Sequence, residues 1–264
     1  MESAANETEV KAEIYDTDRF AELYRVSQDP PLASLGLAAR FLVSFFQTNG
    51  IAFAFLGGWA VYLRGGWRRT QDVDICVNTT MEHLKSLLLR ERRLCVPQIH
   101  GLTCIQVFVH TGVGWDDVHF PGTPYVPISV DIIINGYLGT PQGLPNGTES
   151  ILPVPVTTQG TAPVSAVDLF YQMSSKLQAH YSRRTLGGTN DYIDLVFLVT
   201  SFSNTVWEMR GFLNLEHRWA FFNDFFATSE GDTTGVTTNV QLTLGLPDDG
   251  EQPQPLQQQQ PQQG

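Results

Sequence analysis

The sequence predicts an α+β fold in which a sheet flanked by helices is followed by a C-terminal helical region. Segments with the spacing of strands alternate with helical segments up to about residue 157, and the chain from residue 161 to residue 228 is helical in pattern. Glycine pairs and Gly/Pro-rich stretches separate these segments, as expected of turns and loops. A chain of 264 residues is long enough to bury a core of this kind.

The first elements are predicted between residues 35 and 77. Apolar residues between positions 35 and 46 recur at helical spacing, and Asn49-Gly50 is a suitable end for that helix. IAFAFLGG predicts a buried strand that ends at the turn Gly57-Gly58, WAVYLR predicts a short helix, and DVDICV predicts a second strand. A helix capped by Thr79 or Thr80 and strands at TCIQVFVH and PISVDIII are expected to follow.

Composition divides the chain into four segments. Residues 1–28 are polar and mostly acidic and predict a leader that is partly disordered, while residues 29–160 carry the strands and their helices. Residues 161–228 predict a helical subdomain, in which Ser165 opens one helix and Thr189 or Asn190 opens another. Residues 229–264 end in EQPQPLQQQQPQQG, and a Gln/Pro-rich stretch cannot build a core, so a disordered tail is expected.

Charge and composition exclude several classes of protein. A net charge of -11 disfavours a broad nucleic-acid-binding surface, because proteins that bind phosphate backbones usually carry the opposite sign. The sequence has no signal peptide and no apolar run long enough to cross a membrane, so an intracellular, cytoplasmic protein without a membrane partner is expected.

The cysteines and histidines give no metal-binding pattern in the sequence. Three cysteines are too few for a disulfide framework, and their spacings match no zinc motif, so buried thiols are expected. The histidines likewise have no ligand spacing and are interpreted as ordinary surface or loop residues. The residues concerned are Cys76, Cys95, Cys104, His100, His110 and His119.

The chemistry is concentrated in the segment FLGGWAVYLRGGWRRTQDVDICV. Gly57-Gly58 joins a strand to a helix N-terminus, where open amide groups and the helix dipole favour phosphate. Asp72 and Asp74 are two residues apart in an apolar strand, so their carboxylates share one side, roughly 6–7 Å apart. Such a pair is costly without a cation or protons, and oxygen ligands suit Mg²⁺ or Mn²⁺. Asp131, in the apolar strand SVDIIIN, completes the group if the two strands are neighbours.

A glycine pair, then D-x-D between apolar residues, then a lone aspartate in a later strand resembles the polymerase-beta-like nucleotidyltransferase superfamily. The segment GGWAVYLRGGWRRTQDVDI is similar to aminoglycoside and lincosamide nucleotidyltransferases. The helices around Lys176, Asp191 and Asp194 resemble those of nucleotidyltransferase-type toxins from bacterial abortive-infection systems, although these two aspartates are also suited to helix capping and ion pairing. The resemblance covers about residues 35–200. The turn here is Gly-Gly where many relatives have Gly-Ser, so how the triphosphate is held is left open.

The resemblance implies a fold, an activity and a set of site residues. The fold is a nucleotidyltransferase fold with a mixed, mostly antiparallel sheet, in which residues 29–160 are the catalytic domain. The activity is metal-dependent transfer of a nucleoside monophosphate from a nucleoside triphosphate, with Mg²⁺ or Mn²⁺ as cofactor, to an acceptor hydroxyl or phosphate on a small molecule, a protein or an RNA end. The implied residues are Asp72, Asp74 and Asp131 as catalytic metal ligands and Gly57, Gly58, Arg69, Thr70 and Lys176 as nucleotide-binding groups.

Two alternatives remain open at this point. A non-catalytic nucleotide- or partner-binding module could keep the fold, although it would be expected to lack an acid, and all three acids are present. A toxin-like enzyme is suggested only by the helical resemblance. The nucleotide base, the acceptor and the oligomeric state are not specified by the sequence.

Overall fold

A computed structural model describes residues 11–115, 117, 123–153, 162–183, 189–228 and 235–247. The described residues up to Lys176 form one compact unit and those from Leu177 onward form another. The predicted boundary lies earlier, at residue 160. The first ten residues of the predicted leader, His119 and all but residues 235–247 of the predicted tail lie outside the described residues.

The described part of the first unit contains eight strands, which form one sheet. Their bounds are β1 (Glu13–Tyr15), β2 (Phe53–Leu56), β3 (Val73–Val77), β4 (Leu94–Pro97), β5 (Cys104–Thr111), β6 (Val126–Ile134), β7 (Thr148–Ile151) and β8 (Val164–Val167). The strand order is β1-β4-β5-β6-β3-β2-β8-β7. The β1–β4, β3–β6 and β2–β8 pairs are parallel and the other four are antiparallel, so the predicted mixed, mostly antiparallel sheet is confirmed.

Five helices begin in the described residues of this unit, and one face of the sheet carries its main core. The helices are α1 (Thr17–Val26), α2 (Leu32–Thr48), α3 (Gly57–Leu63), α4 (Met81–Leu88) and α5 (Leu169–Arg183). Buried side chains of α2, α3 and α4 pack with the residues of β3, β5 and β6 that point to this face. Thr80 caps α4, because its hydroxyl oxygen accepts a hydrogen bond from the His83 amide, and Asn49 caps the end of α2, as the sequence predicts.

The opposite face of the sheet has two smaller apolar clusters. One contains Leu56, Cys76 and Ile133 with neighbours, and the other contains Tyr15, Leu23, Cys95 and Phe108. Alternation along the strands places Asp74 and Asp131 on this same face. The face opposite the main core therefore holds polar groups between two apolar clusters.

The second unit is helical. It contains the end of α5 and α6 (Thr189–Ser201), α7 (Ser203–Met209), α8 (Leu215–Thr228) and α9 (Val236–Leu244). Leu195, Val206, Phe221 and Val240 are among its buried side chains. None of the described helices combines the length and the apolar character needed to cross a bilayer.

Several short elements differ from the sequence prediction. Ser165 does not open a helix, because residues 164–167 form β8 between β2 and β7, and α5 begins only at Leu169. Asp168 caps α5, because its carboxylate accepts a hydrogen bond from the Tyr171 amide. In the predicted leader, β1 pairs with β4. Helix α1 begins after Asp16, whose carboxylate accepts a hydrogen bond from the Arg19 amide. Strand pairing at the sheet edges accounts for β1, β4, β7 and β8.

Candidate active site

Asp74 and Asp131 face each other across two neighbouring parallel strands. Their Cα atoms are register partners on β3 and β6, so the side chains leave the sheet on the same face, with the strands about 4.8 Å apart. Asp72 immediately precedes β3, and its charge acts on the carboxyl groups of both Asp74 and Asp131. The structure therefore brings together the three carboxylates that the sequence singles out.

Burial and mutual repulsion raise the pKa values of two of these acids. For Asp74, burial is the largest cause, followed by the charges of Asp72 and Asp131, and its pKa lies well above the ordinary range. Burial and then the charge of Asp72 raise the pKa of Asp131 to about 6. The site therefore retains protons above the usual carboxylate range and favours the binding of positive charge.

The Gly57-Gly58 turn presses its backbone against Asp74. Gly57 has a φ of +64°, and a Cβ atom built on it would lie 1.7 Å from Asp74 Oδ2. The Gly58 amide donates a hydrogen bond to the Asp74 carboxylate and lowers its pKa. On the other side of the turn, the buried Gln172 side chain of α5 donates from Nε2 to the Gly57 carbonyl at 3.2 Å. Only glycine fits at position 57 while Asp74 keeps this place.

Lys176 lies close enough to the acids to act on them. It is 8% exposed on α5, and its ammonium group lowers the pKa of Asp74. An amine at this depth is not a solvated surface lysine. It supplies positive charge beside the carboxylates and the glycine turn.

Of the two arginines before the D-x-D segment, Arg68 is the one at the turn. A Cβ on Gly58 would lie 2.6 Å from Arg68 Nη2 and 2.8 Å from Thr70 Oγ1. Arg69 instead donates to the Pro30 carbonyl at 3.1 Å and lies 3.7 Å from the Asp29 carboxylate. The structure thus brings Arg68, which the sequence pattern does not single out, to the glycine pair and directs Arg69 elsewhere.

Thr70 is held at the same place and contacts an acid. Its side chain is buried, and Oγ1 donates to Asp72 Oδ1 at 2.9 Å. This bond fixes the orientation of the Asp72 carboxylate at the entrance to β3. Thr70 is therefore better placed to position an acid than to contact a ligand itself.

A cavity of about 510 Å³ opens beside Asp131 on the same face of the sheet. Its walls come from the β1–α1 segment, the connection from β4 to β5, and β5 itself. Among the residues that line it are Tyr15, Phe20, Ile99, His100, Gln106 and Asp131. The cavity gives a small molecule or a flexible chain end access to Asp131.

In the second unit, Asp191 and Asp194 are buried on α6. Asp191 Oδ2 accepts from Arg183 Nη1 at 3.2 Å, so it forms an ion pair within this unit. This agrees with a role in holding the helices rather than in chemistry.

Comparisons with known proteins support the fold. No protein-family model matches the sequence, and neither does any curated protein. Among solved structures, the chain is similar to an antigenic nucleotidyltransferase-like protein from Paracoccidioides brasiliensis, with a TM-score of 0.56 and 14% identity over 81% of this chain and 94% of that one. The α+β nucleotidyltransferase fold predicted from the sequence is therefore confirmed.

Two further solved structures are more distant. ANT(2″)-Ia in complex with adenylyl-2″-tobramycin has a TM-score of 0.45 and 14% identity, and covers 72% of this chain and 98% of its own. JHP933 from Helicobacter pylori has a TM-score of 0.40 and 10% identity, and covers 86% of this chain and 88% of its own.

Proposed function

We propose that this chain is a metal-dependent nucleotidyltransferase that moves a nucleoside monophosphate from a nucleoside triphosphate to an acceptor hydroxyl or phosphate. One observation carries the proposal: Asp74 and Asp131 are register partners within reach of the Asp72 charge, next to a glycine turn that admits no side chain at position 57. Strand-borne carboxylates with raised pKa values are unfavourable for stability, and a ligand that uses their charge gives a reason for them.

The donor set fits Mg²⁺ or Mn²⁺. All three groups offer hard oxygen ligands. Burial and then the repulsion among the acids raise the pKa of Asp74 and Asp131, and a cation relieves that repulsion. Asp72 and Asp74 would hold the ions, and Asp131 would complete the ligand shell. Bound ions supply stabilisation of the attacking and leaving oxygens in phosphoryl chemistry.

The glycine turn and two basic residues suit the triphosphate. Gly57 and Gly58 begin α3, and a helix N-terminus favours anions. Lys176 provides a compact positive charge beside Asp74, and Arg68 provides a planar guanidinium at Gly58. We assign the phosphate contacts to these four residues and the orientation of Asp72 to Thr70.

Asp131 is suited to receive the proton of an acceptor hydroxyl. It lines the cavity beside the acids, so a hydroxyl bound in that cavity lies within reach of its carboxylate. The acceptor therefore enters from the side of β1 and α1 and presents its hydroxyl or phosphate to Asp131.

Nucleotide binding tests the site directly. Titration calorimetry of each nucleoside triphosphate into the purified chain, with and without Mg²⁺, is compared among the wild type, Asp74→Asn and Glu82→Gln. Glu82 is an exposed acid in the first turn of α4, which packs on the opposite face of the sheet, so its variant makes the same change of charge outside the site.

We expect Mg²⁺-dependent nucleotide binding in the wild type and in Glu82→Gln. The affinity of Asp74→Asn should be at least about tenfold lower, because one metal ligand is gone. Equal binding by Asp74→Asn and the wild type would exclude the acidic cluster as the nucleotide site. If the wild type and Glu82→Gln bind no nucleoside triphosphate in either Mg²⁺ or Mn²⁺, the proposed function is contradicted and a partner-binding module remains.

A further inference from the structure

A second cluster of potential metal ligands lies on the same face of the sheet, nearer its β1 edge. Cys95 Sγ is 3.3 Å from Glu13 Oε2 and 3.2 Å from His110 Nε2, and the latter two atoms are 3.7 Å apart. Within the part of the chain that the structure describes, it is the one such trio whose ligand atoms all lie within 4.8 Å of one another. The carboxylates of Asp72, Asp74 and Asp131 do not converge as closely.

Strand register explains why three residues far apart in sequence meet here. Glu13 on β1 is the register partner of Cys95 on β4, and Cys95 is the partner of Phe108 on β5. His110 lies two residues beyond Phe108 and so points to the same face. The three side chains come from three adjacent strands, and their convergence follows from the pairing of the sheet.

The surroundings orient each group toward a common point. Arg19 Nε donates to Glu13 Oε1 at 2.6 Å, which leaves Oε2 directed at Cys95. His110 Nδ1 is 2.8 Å from the Tyr125 hydroxyl, and Trp115 stacks on the imidazole ring with a centroid distance of 4.8 Å. A ligating histidine typically uses its second nitrogen in a hydrogen bond of this kind, which fixes the ring and the tautomer.

We propose that Glu13, Cys95 and His110 form a Zn²⁺ site. Tetrahedral zinc with its usual bond lengths separates a sulfur ligand from a nitrogen or oxygen ligand by about 3.6 Å, and a nitrogen from an oxygen ligand by about 3.4 Å. The separations in the structure, 3.2, 3.3 and 3.7 Å, need shifts of only a few tenths of an ångström. A donor set of one thiolate, one imidazole and one carboxylate binds Zn²⁺ in preference to Mg²⁺.

Coordination by Cys95 releases one proton, because a thiol binds zinc as the thiolate. On binding, a sulfur–zinc bond forms, the thiol proton passes to solvent and a water molecule takes the fourth position.

A metal-free hydrogen-bond network is the competing arrangement. If the Tyr125 hydroxyl donates to His110 Nδ1, the imidazole carries its proton on Nε2 and can donate toward Glu13 and Cys95. If Nδ1–H donates to Tyr125, Nε2, Sγ and Oε2 meet as three electron-pair donors around a single thiol proton, which is the arrangement a cation stabilises. The two cases differ in whether the protein takes up zinc.

Zinc at this position would fasten β1 to the rest of the sheet. β1 is only three residues long, and with α1 it forms one wall of the cavity beside Asp131. Zinc binding here does not depend on nucleotidyl transfer, because its ligands are distinct from the three aspartates.

The site is tested on the full chain with Zn²⁺ and Co²⁺ as probes, in the Asp74→Asn background so that the acidic site does not contribute. After chelation and dialysis, bound zinc is counted by mass spectrometry, and Co²⁺ titration is followed for the charge-transfer absorption of a cobalt–thiolate bond. Cys95→Ser and the isosteric Glu13→Gln remove ligands, and Cys104→Ser removes a thiol outside the cluster.

We expect one zinc ion per chain and a cobalt–thiolate band in the background protein and in Cys104→Ser. Cys95→Ser should lose the band, and both ligand variants should bind zinc about 100-fold more weakly. Zinc should also raise the thermal midpoint of the background protein, because it binds the folded state alone. The cobalt titration is repeated on the wild-type chain, and the absence of a cobalt–thiolate band there would overturn the proposal in favour of the hydrogen-bond network.

Discussion

At the scale of single residues, the site is defined by contacts that leave no room for substitution. Gly57 adopts a left-handed conformation, and the Asp74 carboxylate occupies the space that a side chain at position 57 would need. The same carboxylate accepts a hydrogen bond from the Gly58 amide, and the charge of Lys176 lowers its pKa. Each of these residues constrains the next, so changes here affect binding more than stability.

Gly57→Ala should therefore abolish nucleotide binding. A left-handed φ costs a non-glycine residue about 1–2 kcal/mol, and the new methyl group would also displace Asp74. Gly50→Ala is the matched control, since Gly50 has a φ of +65° but nothing lies within 4 Å of the position that its Cβ would take. Urea unfolding should show a loss of stability in both variants, larger in Gly57→Ala because of its contact with Asp74. Calorimetry on the folded proteins should find nucleotide binding lost only in Gly57→Ala. Loss of binding in both variants would contradict a local effect at the site.

Asp131→Asn should change how the metal-free protein responds to pH. The pKa of Asp131 is about 6 in the folded chain and about 4 in an unfolded one. Between these values the folded state binds the extra proton, so the free energy of unfolding falls as pH rises. This contribution is fully present below pH of about 4 and is lost above about 6.

Urea unfolding in the presence of a chelator measures this effect. As pH rises across that window, the free energy of unfolding should fall by on the order of 2 kcal/mol more in the wild type than in Asp131→Asn. Glu82→Gln, which changes an exposed acid outside the site, should follow the wild type. Parallel pH profiles for the wild type and Asp131→Asn would show that Asp131 is not held in a repulsive, buried cluster.

At the scale of elements, the sequence predicts those whose pattern is long and local. α2, β2, β3, β5 and β6 follow from apolar periodicity and from end signals such as Asn49 and Gly50, and they carry the glycine turn and the three aspartates. Strands β1, β4, β7 and β8 are three or four residues long, and pairing with neighbours defines them. β2 is equally short, but an apolar run that ends in a glycine pair marks it in the sequence. The other four short strands have no such signal, and the sequence predicts a helix at Ser165 where the structure has a strand.

The same distinction applies to the side chains at the two clusters. D-x-D and Asp131 are visible in the sequence because acids are rare in apolar strands. The choice between Arg68 and Arg69 depends on the path of an irregular loop, and adjacent arginines look alike in sequence. Glu13, Cys95 and His110 come from three strands whose register brings them together, so no spacing rule finds them.

At the scale of the whole molecule, the first unit carries every group proposed to take part in catalysis. The three aspartates, the glycine turn, Lys176 and the cavity beside Asp131 all lie within it. The net charge of -11 is compatible with this arrangement, because Lys176 and Arg68 provide positive charge locally. A cavity of about 510 Å³ is of a size that holds a small molecule, which suits the acceptor of the proposed transfer.

Transfer of the α-phosphate tests the central claim most directly. The chain is incubated with Mg²⁺ and the nucleoside triphosphate it binds, labelled in parallel on the α- or the γ-phosphate, together with fractionated small molecules, proteins and RNA as acceptors. We predict that α-label passes to an acceptor fraction, that γ-label appears only in pyrophosphate, and that Asp74→Asn abolishes both while Glu82→Gln does not. Transfer of γ-label to an acceptor, or nucleotide binding without α-label transfer to any fraction, would contradict nucleotidyl transfer by this site.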